Sequence, residues 1–518
     1  MDSPDIWRRQ MKLGTFRFSR PHDLVIAQKP KLSVGIVIAC RDGQDKLNLV
    51  LASLSVQSYP SKLINVYIID DGSAKPLTIP KIRPKNTKLI SYKNSEGKWG
   101  KTAATSDVVS QIKSDVLWFI DADMVFEPDH LAHHMKWHHD ADDYVVLGWK
   151  RFVKDWQYTP EQLVQTLNAN GFSDLHKESW GKELWEARVS LTNDLEKPGI
   201  DGYRAFVGAT FSMKNSQWKN LGGYNRNLVT GEDTELGWRV FVNGLRTVVD
   251  RKALSWHLGY STVEVHKNQI QRHNDPTFAQ LIPQMYRIRE KSKFDWLVPT
   301  YQVFVDARET TLTQILSLRE KLLATPGSTA KFVLLAPWAV LNRRYTPVSD
   351  LYSDLREIKN WLAQDPQFTL EVIPADQLIS IEWILEEFKV GSTPYYIFAD
   401  ANTSINLKEL AEYLLESEQG LVGVVDKKDQ RAFAVFAPAI ARAIKFQGSV
   451  YQNISELWGI QWLNDDQFMK LQRGKNTLIK HFFSFLKREG KKINSPRQLL
   501  IFLKTLFTLI ARELFRRG

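Results

Sequence analysis

Residues 32–39, LSVGIVIA, form an unbroken apolar, β-branched run, the pattern of a strand buried on both faces. LNLVLASLSVQ at 47–57 spaces its apolar positions as a helix does. INVYIID at 64–70 returns to a strand pattern and runs into DGSAKP at 71–76, a turn. TKLISY at 87–92 predicts a third strand, KTAATSDVVSQIK at 101–113 a helix, and DVLWFID at 115–121 a fourth strand. Alternating strands and helices predict parallel βαβ units, whose ligands sit beyond the carboxyl ends of the strands. Three of these ends carry polar groups: Cys40–Arg41, Asp70–Asp71 and Asp121–Asp123.

The pattern restarts beyond residue 300, with strands expected at 331–340, 368–373 and 395–400 and helices at 353–364 and 405–417. Short matches recur too. FIDAD at 119–123 returns as FADAN at 398–402, and RAF at 204–206 returns at 431–433. Each RAF precedes an acidic pair, Glu232–Asp233 in one half and Asp465–Asp466 in the other. A duplicated α/β fold with a shortened second copy follows, with units expected at 1–299, 300–472 and a tail at 473–518. In the second copy Asn402 stands where Asp123 stands in the first, and IPADQ at 373–377 lacks the DDGS of the first, so that copy is expected not to catalyse.

The chain has 518 residues, and 69 Lys or Arg against 58 Asp or Glu give +11. Residues 475–518 alone hold eleven Lys or Arg and two Glu, a net +9. The rest is close to neutral, which argues against a nucleic-acid groove. No apolar run reaches the 18 residues of a membrane span, and MDSPDIWRRQ at the start does not resemble a signal peptide. The single cysteine, Cys40, allows no internal disulfide and fits a cytoplasmic setting.

Two acids one residue apart at a strand end do not belong to a core, because burying unpaired carboxylates is costly. Asp121 and Asp123 suit a hard divalent cation, Mg²⁺ or Mn²⁺, that in turn holds a diphosphate. A solvated turn ahead of EPDHLAHHM is the alternative. Asp71 can accept from a uracil imide or a ribose hydroxyl, or it can close an Asx turn. Gly97, Gly100 and Lys101 precede a helix start, a setting that suits phosphate. In TGEDTELGWR at 230–239 the acids either cap a helix or supply a general base, with Trp238 offering an apolar face to a sugar ring. His257, in SWHLG, is structural or a third metal ligand. HHMKWHHD at 133–140 reads as an exposed helix face rather than a metal site.

Together, ACRD, IIDDGS, GKT, DAD, GATFSMK with LGGYN, GED with GWR, and the following His resemble the inverting family 2 glycosyltransferases of the GT-A fold, over roughly residues 30–260. The resemblance implies a Rossmann-like mixed sheet flanked by helices. Ala39, Arg41 and Asp71 would hold the base and ribose, with Gly100 and Lys101 at the phosphates. Asp121 would contact the ribose or the cation, beside Ala122. Asp123 and His257 would ligate the Mn²⁺ or Mg²⁺. Gly208, Ala209 and Thr210 would line the sugar pocket, Asp233 would be the base, and Glu232 would orient the acceptor. Trp238 and Arg239 are the remaining acceptor candidates. Arg41–Asp42 departs from the commoner Tyr-Asn of the family. The donor is expected to be UDP-linked and the acceptor a saccharide or lipid-linked saccharide. The tail's basic amphipathic pattern predicts attachment to anionic lipid on the inner face of the cell membrane, with a helix docked on the domain behind a solvated basic face as the alternative, and a homo-oligomer is possible. A carbohydrate-binding assembly subunit is the rival function, and a nucleotidyltransferase a distant third.

Overall fold

The computed structural model describes residues 21–471, apart from 94–99, 154–155, 173–183, 260–265, 285, 290–293, 295, 324–328, 388–390 and 428–430. Gly97, most of SWGKELW at 179–185, and the tail lie outside the described residues. No described helix is long and apolar enough to cross a membrane.

The first sheet has eight strands: β1 (Val34–Cys40), β2 (Ile64–Asp70), β3 (Thr87–Ser91), β4 (Val116–Asp121), β5 (Met124–Phe126), β6 (Tyr144–Val153), β7 (Thr210–Lys214) and β8 (Arg246–Leu258). Their order is β3-β2-β1-β4-β7-β6-β8-β5. The apolar runs seen in the sequence become its parallel half, β3-β2-β1-β4. β1 pairs in register with both neighbours, so Cys40 lies opposite Asp70 and Ala39 opposite Asp121. One rim therefore collects the strand-end polar groups. Beyond β4 the sheet is mixed: β7 is antiparallel to β4 and β6 antiparallel to β7, while β8 is parallel to β6.

Alternate residues of the central strands feed two cores. Ile36, Ile38 and Trp118 face one side, and Val37, Phe119 and Phe211 the other. Helix α1 (Gln44–Ser55) follows β1, and α2 (Lys101–Val109) precedes β4.

The third helix, α3 (His130–Asp140), overturns the expected exposed face. His130, His134 and His138 are at most 2 % exposed. Their i, i+4, i+8 spacing puts them on one stripe, which packs on the sheet. His130 bridges the Leu254 carbonyl (2.8 Å) and the Thr210 hydroxyl (3.0 Å). His134 and His138 share the Ser212 hydroxyl at 2.8 and 2.7 Å. Burial pushes the His130 and His138 imidazoles down to about 3, and His134 well below its usual value.

The second sheet has seven strands: β9 (Tyr301–Asp306), β10 (Ala330–Ala336), β11 (Phe368–Val372), β12 (Tyr395–Ala399), β13 (Leu421–Val425), β14 (Arg431–Phe436) and β15 (Ile460–Asn464). Their order, β11-β10-β9-β12-β14-β13-β15, repeats the first seven positions of the first sheet. The strand directions repeat as well, with β14 antiparallel to β12 and β13, and β15 parallel to β13.

The correspondence corrects three pairings made on sequence. Asp465–Asp466 follow β15, whereas Glu232–Asp233 open the helix α4 (Glu232–Val242) before β8. The counterpart of that helix is α6 (Val450–Leu457), opened by Ser449. RAF at 431–433 lies within β14, whereas RAF at 204–206 precedes β7, so this match is coincidental. The partner of Asp70–Ser73 is the segment after β10, which begins Ala336–Pro337, rather than IPADQ after β11.

The two units share a tight seam. Trp238 on α4 is 1 % exposed and donates through Nε1 to the Ser392 carbonyl at 3.2 Å. Phe241 meets Phe436 edge-on at 5.7 Å, and helix α5 (Ala437–Ala443) crosses beside Gly244. Gly244 has φ +66°, and a Cβ there would lie 2.6 Å from Arg442 Cγ. Arg442 reaches the buried Asp143–Arg246 pair, 3.7 Å from Asp143.

The histidine stripe yields the first expected outcome. These imidazoles stay neutral in the fold but take protons when unfolded, so stability is full above pH 6.5 and drains as pH falls toward 3. The loss approaches about 1.4 kcal/mol per pH unit per histidine. Urea midpoints measured at pH 7.5, 6.5 and 5.5 should decline, with a shallower decline in His138→Gln. A flat series contradicts the buried stripe.

Candidate active site

Each polar group on the rim is delivered by the end of an element. Asp121 ends β4, and its N–H donates to the Ala209 carbonyl at 3.1 Å. Two residues on, Asp123 precedes β5. In the β5–β8 pairing Met124 lies opposite His257, which brings the histidine back beside Asp123. The Asp123 carbonyl accepts from the Leu258 N–H at 2.8 Å and fixes that junction. His257 Nε2 is 3.5 Å from Asp123 Oδ1.

One ligand atom each from Asp121, Asp123 and His257 falls within 4.8 Å of the others, and all three residues are half-buried. His257 Nδ1 is buried without a hydrogen-bond partner. Burial lowers the His257 imidazole pKa against the pull of Asp123 and Asp121, so it is neutral and carries a lone pair. Two hard carboxylates and a neutral imidazole at this spacing fit a divalent cation.

Lys101, the first residue of α2, reaches across to both acidic elements. Its Nζ lies 2.6 Å from Asp121 Oδ1 and 3.4 Å from Glu232 Oε1. Burial alone lowers an ammonium pKa, but Asp121 and Glu232 raise this one well above its usual value. In return, the Asp121 carboxyl, which burial pushes up, is held below the usual carboxylate range chiefly by Lys101.

Glu232 and Asp233 open α4 behind Gly231, whose φ is +76°. A side chain at 231 would put Cβ 2.5 Å from Asn274 Nδ2, so glycine alone fits the sharp entry. Asp233 Oδ1 accepts from the Thr234 N–H at 2.7 Å and Oδ2 from the Gly208 N–H at 3.3 Å. Burial raises the pKa of both carboxyls, and Lys101 only partly offsets it. Such acids are better proton acceptors than solvated carboxylates.

At the other end of the rim, burial raises the Asp71 carboxyl, while the Gly100 N–H donates to it and Arg41 attracts it. Arg41 is well exposed and 3.6 Å from Asp42. Asp70 turns inward instead, accepting from the Ser73 (2.9 Å) and Leu77 (3.0 Å) N–H groups as a turn brace.

Most of the sequence-derived residues meet here: Ala39, Arg41, Asp71, Gly100, Lys101, Asp121, Asp123, Gly208, Glu232, Asp233 and His257. Ala122 lies between the two aspartates and Ala209 beside Asp121, but both side chains pack against the core, and Thr210 is buried and bonded to Trp118 and His130 rather than lining a sugar pocket. The acceptor pair does not meet here. Trp238 is buried in the seam between units and presents no face to a sugar. Arg239 grips Glu235 at 2.7 and 2.5 Å and donates to the Leu221 and Gly223 carbonyls at 2.6 and 2.7 Å, which ties down the LGGYN loop. Two further lysines at the site escape the sequence motifs. Lys46 contacts Asp123 (3.2 Å), and the charge of buried Lys150 reaches both Asp121 and His257.

The second sheet's rim differs. At the position of Arg41, Arg308 is locked on Asp306 at 2.9 and 2.6 Å and on the Ala375 and Gln377 carbonyls. Asn402 is held by Gln314.

Residues 35–189, all within the first unit, match the family described as "Glycosyl transferase family 2". A curated relative, the "Uncharacterized glycosyltransferase YfnE" of Bacillus subtilis (strain 168), is 24% identical over 255 residues, which is 44% of this chain. The match spans 64% of that relative's length. Among solved structures, the mannosyltransferase PcManGT from Pyrobaculum calidifontis, in complex with GDP-Man and Mn²⁺, is 16% identical over 56% of this chain and 72% of its own, with a TM-score of 0.35. S. aureus TarS 1-349 is 15% identical over 50% of this chain and 79% of its own, with a TM-score of 0.31.

Proposed function

We propose that the chain is a metal-dependent inverting glycosyltransferase that moves a sugar from a nucleoside-diphospho-sugar, UDP-linked, to a hydroxyl of a saccharide or lipid-linked acceptor. The observation that carries this is Lys101, which joins Asp121 at 2.6 Å to Glu232 at 3.4 Å. A cation-type acid cluster and a base-type acid pair thereby share one cleft, and a binding or assembly subunit has no use for the second.

Asp121, Asp123 and His257 would hold the cation, and the imidazole favours Mn²⁺ over Mg²⁺. When bound, the cation supplies Lewis-acid stabilisation to the departing diphosphate. The chain's own groups do the rest. Asp71 and Arg41 take the nucleoside end. Lys101 sits where charge develops on the leaving group and needs no reorganisation to meet it. Asp233, held by the Gly208 and Thr234 N–H groups, takes the acceptor's proton. Attack then comes from the face opposite the leaving group, and the anomeric configuration inverts. Glu232, tethered to Lys101, steadies the acceptor.

The second unit is a non-catalytic buttress. Its rim lacks a counterpart of Asp123, and its core takes the far face of α4, the helix that presents Asp233. Its surface could also serve a second copy of the chain, as a homo-oligomer contact.

Asp233→Asn should cut transfer at least about a thousandfold, the upper range for general-base loss, while nucleoside diphosphate binding changes little. Product release gives the first quantity and calorimetry the second; near-normal turnover removes Asp233 from its role. In the wild type, transfer should fall as pH drops through an apparent pKa above the ordinary carboxylate value, because protonated acids cannot accept the acceptor's proton.

Residues 475–518 would hold the enzyme on anionic lipid at the inner face of the membrane, where a lipid-linked acceptor lies. Flotation with phosphatidylglycerol vesicles should carry the full chain but not a chain ending at 474. Equal flotation rejects the anchor.

A further inference from the structure

Lys46 stands in the first turn of α1, and its side chain ends at the cation seat. Its Nζ is 3.2 Å from Asp123 Oδ2 and 2.7 Å from the Leu258 carbonyl. Asp123 is thus divided: Oδ2 goes to the ammonium, and Oδ1 faces His257. Because Leu258 directly follows His257, Lys46 touches both segments that supply the ligands. Nearly half of its side chain, 49%, is open to solvent, so the ammonium has room to leave. The transfer chemistry leaves Lys46 without a task, since Lys101 faces Asp121 and Glu232.

We propose that Lys46 makes occupation of the cation seat depend on the donor's diphosphate. The inference rests on the cation-site reading above. Without donor, the ammonium neutralises Asp123 and repels a divalent ion a few ångströms away, so a free cation is held weakly. A nucleoside diphosphate brings enough negative charge for both cations. Lysine is suited to the exchange, being a point charge on a flexible four-carbon stem. The ammonium then moves from Asp123 to the phosphates, and cation and donor load together. The site stays closed to chance cations and opens to the complete donor complex.

The test is Mn²⁺ titration of the full-length protein, followed by the loss of the free Mn²⁺ electron paramagnetic resonance signal, first alone and then with UDP or GDP. Lys46→Met should bind Mn²⁺ alone roughly tenfold more tightly than wild type. Its gain in Mn²⁺ affinity on adding the diphosphate should shrink by a similar factor. Lys46→Arg keeps the charge and should behave as wild type, which also guards against a merely structural effect. Equal Mn²⁺ affinity in wild type and Lys46→Met overturns the proposal, as does Lys46→Arg binding as tightly as Lys46→Met. Asp123→Asn separates the two levels. If it binds Mn²⁺ as wild type does, the cation-site reading falls and takes this inference with it; if it loses Mn²⁺, a negative result from Lys46 counts against Lys46 alone.

Discussion

The structure depends on one half-buried ammonium. Asp121, Glu232 and Asp233 crowd one cleft, and carboxylates this close, half withdrawn from water, repel one another and take up protons more readily unless a positive charge stands among them. Lys101 is that charge, 2.6 Å from Asp121 and 3.4 Å from Glu232. It keeps Asp121 ionised while Glu232 and Asp233 remain more basic than usual. Its position follows from the chain: Gly100, with φ +99°, turns the backbone into α2, and Lys101 is the first residue of that helix.

The second unit acts on this cleft from behind. It repeats the strand order of the first sheet, yet its rim is locked by Arg308 and Asn402. What it gives instead is a hard floor under α4. Trp238, Phe241 and Gly244 seat that helix and its following turn against Ser392, Phe436 and Arg442. Under the proposed function the first turn of that helix presents the base, and such packing would hold it in place, since a misplacement of one ångström can cost about a hundredfold in rate.

The parallel half of the first sheet was legible in the sequence because its strands are continuous apolar runs. The rim groups were legible too, since carboxylates placed at the end of a strand buried on both faces need a positive partner or water to stay charged. Three features were not. The fate of Trp238 depends on a surface some 150 residues away in sequence, Ser392 and its neighbours, which local pattern does not encode. The histidine stripe of α3 carried its signal in the i, i+4, i+8 spacing, but the charged residues around it masked an inward face. Lys46 had no motif: its contacts exist only because the β5–β8 pairing brings Asp123 and the end of β8 under α1.

What matters most is whether Asp121, Asp123 and His257 hold one cation. Pulsed electron paramagnetic resonance on the Mn²⁺ complex with UDP tests this directly, because an imidazole nitrogen bound to manganese modulates the echo. The wild-type spectrum should carry that nitrogen modulation and His257→Gln should lack it, with Mn²⁺ still bound through the carboxylates. A spectrum that shows no nitrogen coupling in the wild type, or the same coupling after His257 is replaced, would contradict the site as described.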